Sequence, residues 1–253
     1  MKSRNIYLML TGLSAGFISA ALGIGGGVIL VPAFIFIFGY SIHKAIGSSL
    51  ATMVPAACVG LIAHYVINSG NVALGTALFI LIGSLIGAKY GAQVAHKISG
   101  NTLSKLFAVV LLVVGLKLAH ILNIPTHAIT TLNAQSLLII LGLGTGFISS
   151  LFGIGGGVII VPALTLFFGF PIHESVATSL AVVLPTTFVG AMHHKKFNQI
   201  VNFLELKSLI PASLIGAILG AITANLLPAE TLQVMFGIFM IIFAAKMAIH
   251  KDK

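Results

Sequence analysis

Charge is nearly missing from this sequence. Of 253 residues, 7% are Asp, Glu, Lys or Arg and 58% are hydrophobic, and the mean hydropathy is +1.15. So few polar side chains cannot coat a water-soluble particle of this size, which excludes a cytosolic enzyme and a nucleic-acid-binding module. Acidic residues are scarcest, with 4 Asp or Glu against 13 Lys or Arg. In a chain this apolar, such an imbalance reports loops on the cytoplasmic side of a membrane rather than a polyanionic partner. Tryptophan is absent, and cysteine occurs once, at Cys58. A single thiol closes no internal disulfide and builds no zinc or iron–sulfur centre. Alternating polar and apolar runs are also missing, which excludes a β-barrel.

Continuous apolar runs and glycine are plentiful. The first run, from Ile6 to Leu22, follows a basic start and ends near the small residues Ser19, Ala20 and Ala21, as a secretory signal does. Much the same run returns from Leu137 to Phe152, where no signal peptide acts. The first run is therefore expected to remain in the protein. Sliding the chain by 130 positions lays Gly12 to His64 over Gly142 to His194 with about half of the pairs identical. Internal repetition of this kind means two structural halves, 1–130 and 131–253.

Each half divides into five apolar segments. They fall at about 6–22, 27–40, 45–66, 72–94 and 103–122, then at about 135–152, 157–169, 175–193, 203–227 and 231–249. Crossing a hydrocarbon core of about 30 Å takes about 20 helical residues. The second segment of each half is too short, so the first two read as a hairpin bent at GIGGG that returns to the side it entered from. The expected fold is all-α: a polytopic integral membrane protein of two inverted repeats, each a glycine-broken helical hairpin plus three transmembrane helices. Inverting the second half gathers nearly every lysine and arginine, Lys44, Lys97, Lys195 and Lys196 included, on one side, with both termini cytoplasmic. Lys117 is the exception.

The chemistry is expected at the two glycine runs, Gly23, Gly25, Gly26 and Gly27, and Gly153, Gly155, Gly156 and Gly157. Glycines in such numbers break a helix and free backbone N–H and C=O groups, which lipid does not tolerate unless they face protein or water. A helix starting just after each break points orphan N–H groups and a partial positive charge at the break, a setting for an anion. Hydroxyls nearby, Ser19, Ser149, Ser49, Thr178 and Ser179, are candidate donors to the same ligand. Pro55 and Pro185 each free a carbonyl and are expected to kink the third segment so that it lines a cavity. The competing reading is close helix packing through small residues, which is also the expectation for Gly83, Gly87, Gly91, Gly216 and Gly220.

Other chemistries find little support. GxGxxG would need glycine at Val28, and no GK[ST] follows either run, so no nucleotide is expected. The repeated histidines His43 and His173, and His64 and His194, sit near segment ends and read mainly as interfacial or packing groups, with proton relay the rival. His193 and His194 are adjacent and face different sides of a helix, which is poor metal geometry. Glu205 is expected to serve its own helix start or to pair locally with Lys207. No nucleophile–base dyad recurs at helical spacing, so an intramembrane enzyme is not expected.

Two copies of G-x-G-G-G followed by V-x-x-V-P-A, in GIGGGVILVPA and GIGGGVIIVPA, resemble the sulfite exporter TauE/SafE family of membrane permeases. The resemblance is strong over 12–64 and 142–194 and weaker in the last helices of each half. It implies a secondary transporter in a bacterial cytoplasmic membrane that moves small anions, often sulfur oxyanions or organosulfonates. It implies no ATP, metal or prosthetic group, and partners limited to the bilayer and a small anionic substrate. A passive anion channel is the alternative.

Overall fold

Within lipid, every backbone N–H and C=O must find a partner inside the chain, so continuous apolar runs fold as helices. The computed structural model describes residues 2–67, 72–118, 134–201, 203–226 and 228–249. Among them all regular structure is α-helical, in ten helices. The first half gives α1 (Lys2–Leu22), α2 (Gly27–Phe36), α3 (Ile42–Ile67), α4 (Leu74–Lys97) and α5 (Gly100–Leu118). The second gives α6 (Ala134–Phe152), α7 (Gly157–Phe167), α8 (Ile172–Lys196), α9 (Phe203–Leu226) and α10 (Ala229–Ile249). Six of them, α1, α3, α4, α6, α8 and α9, are long and apolar enough to cross a membrane.

The expected segments and the observed helices agree closely. The short second helices end earlier than hydropathy suggested, at Phe36 and Phe167, because Gly39 (φ +72°) and Gly169 (φ +70°) turn the chain into the left-handed region. The division at 130/131 and the side chain of Lys117 lie outside the described residues.

Packing interlocks the halves. α1 lies along α9, and α6 lies along α4. Glycines make both approaches: a Cβ on Gly12 or Gly16 would strike the backbone of Leu209 or Ser213, and one on Gly216 or Gly220 the backbone of Leu13 or Phe17. Gly142 and Gly146 meet Ile80 and Ser84 in the same way, while Gly83, Gly87 and Gly91 meet Ile139, Leu143 and Phe147. These glycines are helix-packing residues, as their GxxxG spacing predicts. The third helices, α3 and α8, cross antiparallel, with Leu50 beside Gly190 and Leu180 beside Gly60. Outward faces stay apolar: Leu78, Ile82 and Ile86 on α4 and Ile215, Ile218 and Ile222 on α9 are all exposed. Such a surface suits lipid and not water.

Arg4 shows where the first hairpin begins and ends. Its Nη2 donates to Tyr40 Oη at 2.9 Å and to Glu205 Oε1 at 2.6 Å, and the Tyr40 hydroxyl donates to Glu205 Oε2. The start of α1 and the loop after α2 therefore share one end of the molecule. Glu205 serves the other half rather than its neighbour Lys207. Burial, reinforced by the hydrogen bond to Glu205, pushes the Tyr40 phenol above its usual range. Lys246 reaches the same end, 4.5 Å from the Phe36 ring.

Candidate functional site

Both GIGGG runs interrupt helix as expected. Between α1 and α2, Gly23 (φ +66°) and Gly25 (φ +75°) take left-handed backbone; between α6 and α7, Gly153 (φ +72°), Gly155 (φ +83°) and Gly156 (φ +78°) do so. An L side chain rarely adopts these angles. The two breaks lie against each other. A Cβ on Gly27 would collide with Gly153 O, and one on Gly157 with Gly23 O, so the starts of α2 and α7 are each in main-chain contact with the opposite break.

Hydroxyls tie this contact from both sides. Ser49 on α3 donates to Gly153 O at 2.7 Å, and its counterpart Ser179 on α8 donates to Gly23 O at 2.7 Å. Each serine thus holds the carbonyl of the other half's break. Thr178 Oγ1 accepts Ala73 N–H at 3.0 Å, just before α4, and Ser48 Oγ accepts Val201 N–H at 2.8 Å, before α9. Of the five candidate hydroxyls, three therefore have main-chain partners.

Ser19 and Ser149 differ: both are fully buried and neither Oγ has a hydrogen-bond partner. Leaving a buried hydroxyl unpaired costs about 1–3 kcal/mol, so a matched pair of them requires a reason. Ser149 stands beside the start of α7, its Cβ 3.4 Å from where a Cβ on Gly156 would be. Ser19 holds the matching position in α1. Neither α2 nor α7 has a side-chain cap at its N-terminus. The junction therefore combines two uncapped helix starts of positive polarity with two unused hydroxyls.

Met53 escaped the sequence reading. A Cβ on Gly25 or on Gly155 would run into the same atom, Met53 Cε. The methyl therefore fills the gap where the breaks meet, and Ser49 Oγ lies 3.6 Å from its sulfur. The matching residue is Val183, whose Cγ1 would stand 3.3 Å from a Cβ on Gly155 but which is not among the nearest neighbours of Gly25; no repeated pattern marks the position.

Histidines brace the same region. His64 Nε2 donates to Ala20 O at 2.6 Å and His194 Nε2 to Ser150 O at 2.8 Å, each across to the last turn before a break. Both rings are fully buried. His43 Nε2 lies 3.1 Å from both Ala95 O and Ile98 O, at the end of α4. The repeat flagged these residues, and in the structure all three bond neighbouring backbone carbonyls. Among the described residues no group of three or more His, Cys, Asp or Glu could hold a metal ion.

Pro55 and Pro185 both lie inside their helices, α3 and α8. Pro55 lines a cavity of about 830 Å³ between α3, α8 and the start of α9, together with Val54, Phe188 and Leu206; Lys44 and Lys195 line it as well. Leu206 adjoins Glu205, so this cavity lies at the end of the molecule that holds Arg4.

Comparison with known proteins agrees with this architecture. The sequence model of a family described as "Sulfite exporter TauE/SafE" matches residues 1–118 and 138–253. The "Probable membrane transporter protein YunE" of Bacillus subtilis (strain 168) is 28% identical, over 96% of this chain and 96% of that protein. A "Probable membrane transporter protein" of Xylella fastidiosa (strain Temecula1 / ATCC 700964) is 31% identical, over 94% of this chain and 93% of its own length. No solved structure matches the chain with significance. Six apolar helices and these relatives together make the chain a multi-pass membrane protein.

Proposed function

Since this chain belongs to the sulfite exporter TauE/SafE family, we propose that it is a secondary transporter carrying a small anion, a sulfur oxyanion or organosulfonate, across the cytoplasmic membrane. The observation that carries this reading is the pair of buried, unpartnered hydroxyls, Ser19 and Ser149, at the junction of two uncapped helix starts. Amides of Gly25 to Gly27 and Gly155 to Gly157 supply the dipoles, and the two hydroxyls supply directional donors. Ser49, Thr178 and Ser179 act by holding the breaks and the adjoining loops in register. An oxyanion offers acceptors, which suits a site where free amide and hydroxyl donors converge while Ser49 and Ser179 occupy the carbonyls of Gly153 and Gly23.

The cavity with Lys44 and Lys195 is the approach from the cytoplasmic side, where lysine attracts the anion and Pro55 marks its depth. Antiparallel α3 and α8 support inverted halves with both termini cytoplasmic, and so does the gathering of Arg4, Lys44, Lys195 and Lys246 at one end. Close contact of the breaks around Met53 favours a carrier that closes on its cargo over an open channel. Rocking of the interlocked bundles would separate the breaks and free the junction. Export of net negative charge is downhill from a negative-inside cell by about 2.3 kcal/mol per charge per 100 mV.

The test uses Ser19→Ala and Ser149→Ala. Removing a purely structural orphan hydroxyl stabilises the protein and leaves transport alone. A ligand role gives two opposite signs: the ligand-free protein melts at an equal or higher temperature, while the thermal shift produced by sulfite, thiosulfate or sulfoacetate shrinks and flux in liposomes falls about tenfold or more for a loss of about 1.4 kcal/mol. Undiminished flux and an undiminished shift in the double variant would reject the site.

A further inference from the structure

His194 is bonded through both ring nitrogens. Its Nε2 donates to Ser150 O at 2.8 Å, while its Nδ1 lies 2.6 Å from Gln199 Oε1, and Gln199 Nε2 lies 3.2 Å from His96 Nδ1. A hydrogen-bonded row thus runs from the last turn of α6, next to Ser149, through the buried His194 and Gln199 to His96, which is exposed and stacks on Phe197 at 4.0 Å.

The row is satisfied with either charge on His194. With the amide oxygen of Gln199 toward the ring, both nitrogens of His194 face oxygens, which fits the doubly protonated imidazolium, and the amide nitrogen donates to a neutral His96. Rotating the amide by half a turn lets its nitrogen donate to an unprotonated Nδ1 of His194, while its oxygen accepts from His96 Nδ1–H. One amide rotation therefore accompanies loss of the proton outward. No bond other than N–H is made or broken, and water at the exposed His96 supplies and removes the proton.

The surroundings decide what such a proton does. The ionisable side chains nearby are His43 and Lys44 from α3, His96 and Lys97 from α4, and His193, Lys195 and Lys196 from α8. α6 contributes none, and the one carboxylate of α8, Glu174, lies in its first turn at the opposite end. An imidazolium at this point has the negative end of α6 beside it, and the carboxylate that α9 brings to this end, Glu205, is already held by Arg4 and Tyr40. The missing counter-charge is what an anion at the neighbouring break provides.

We propose that His194, Gln199 and His96 form a proton-binding path and that a proton on His194 binds cooperatively with the anion, making the carrier a proton–anion symporter. This deepens the transporter reading and rests on it. Linkage is reciprocal: the proton tightens anion binding by the same factor as the anion tightens proton binding, expected here at about tenfold.

Nitrogen-15 NMR of histidine-labelled full-length protein in nanodiscs reads the ring directly, with His194 assigned by its absence in His194→Gln. As the pH is lowered, the His194 signals should pass from one protonated nitrogen to two. Thiosulfate, fully ionised throughout, should raise the midpoint by about one pH unit, the equivalent of about tenfold in affinity. Thiosulfate flux into liposomes should rise as pH falls and lose that dependence in His96→Leu, an exposed position whose change leaves the fold intact. A ring that keeps one protonation state throughout, or a midpoint indifferent to thiosulfate, overturns the proposal. Flux that is present but independent of pH overturns it while leaving the transporter reading standing. Flux absent at every pH for sulfite, thiosulfate and sulfoacetate alike rejects the transporter reading and the symport with it.

Discussion

Met53 is where a single side chain has the largest consequence. A Cβ on either Gly25 or Gly155 would meet its methyl before any other atom, and the residue is 1% exposed. Met53→Ala removes that filling, at a cost of about 2–5 kcal/mol if the cavity stays open. Thiosulfate efflux from liposomes should become faster in this variant, whereas Val183→Ala, at the matching position, should leave efflux nearly unchanged. Equal efflux in both would show that the thioether is ordinary core. Gly157→Ala tests the neighbouring contact. Its methyl would press on Gly23 O and stand 2.8 Å from Ser179 Oγ, and overpacking of this kind costs about 1–3 kcal/mol, read as a lower melting temperature. The glycines and hydroxyls of this junction were legible in the sequence because the duplication repeats them. Met53 was not, since asymmetry is what lets one residue serve both halves. The partners of Ser49 and Ser179 were also hidden, because each bonds a carbonyl more than a hundred positions away.

Among the elements, the short helices α2 and α7 and the glycine-faced pairs α1 with α9 and α4 with α6 set the design. Small residues let these backbones approach where lipid supplies no hydrophobic drive for association. Gly16→Leu should force α1 away from Ser213 and Gly146→Leu should force α6 away from Ser84. Each is expected to broaden or abolish the monodisperse peak in detergent gel filtration, while Ile82→Ala on the exposed face of α4 should shift stability by no more than about 0.5 kcal/mol. Helix positions were readable from hydropathy alone, and the returning hairpin from the length of its second arm. Which helix packs on which was not readable. GxxxG spacing names the face that will be crowded but carries no label for its partner, and here both partners lie in the other half.

At the scale of the whole molecule, the exchange of α1 and α6 means that the most extensive helix pairings run between the halves rather than within them. A chain cut between residues 119 and 133 should yield two fragments that are unstable separately and recover a single species when co-expressed, detected by affinity capture through a tag on one fragment. Recovery of a well-behaved first fragment alone would show that the exchange is dispensable. The Arg4, Tyr40 and Glu205 cluster fastens the same exchange at one end of the molecule, so Glu205→Gln should lower the melting temperature modestly and more at low ionic strength than at high.

The pairing of α1 with α9 also imposes an order on biogenesis. As the ribosome delivers the chain, α6 meets an α4 that is already in the bilayer, so that pair can close as soon as residue 152 emerges. α1 has no such luck: its mate ends at Leu226, and until then its glycine stripe must be sheltered by lipid or by the insertion machinery. The nascent protein is thus half-assembled for nearly its entire translation, and a pause or truncation shortly before α9 would strand the first helix as a ready target for membrane quality control.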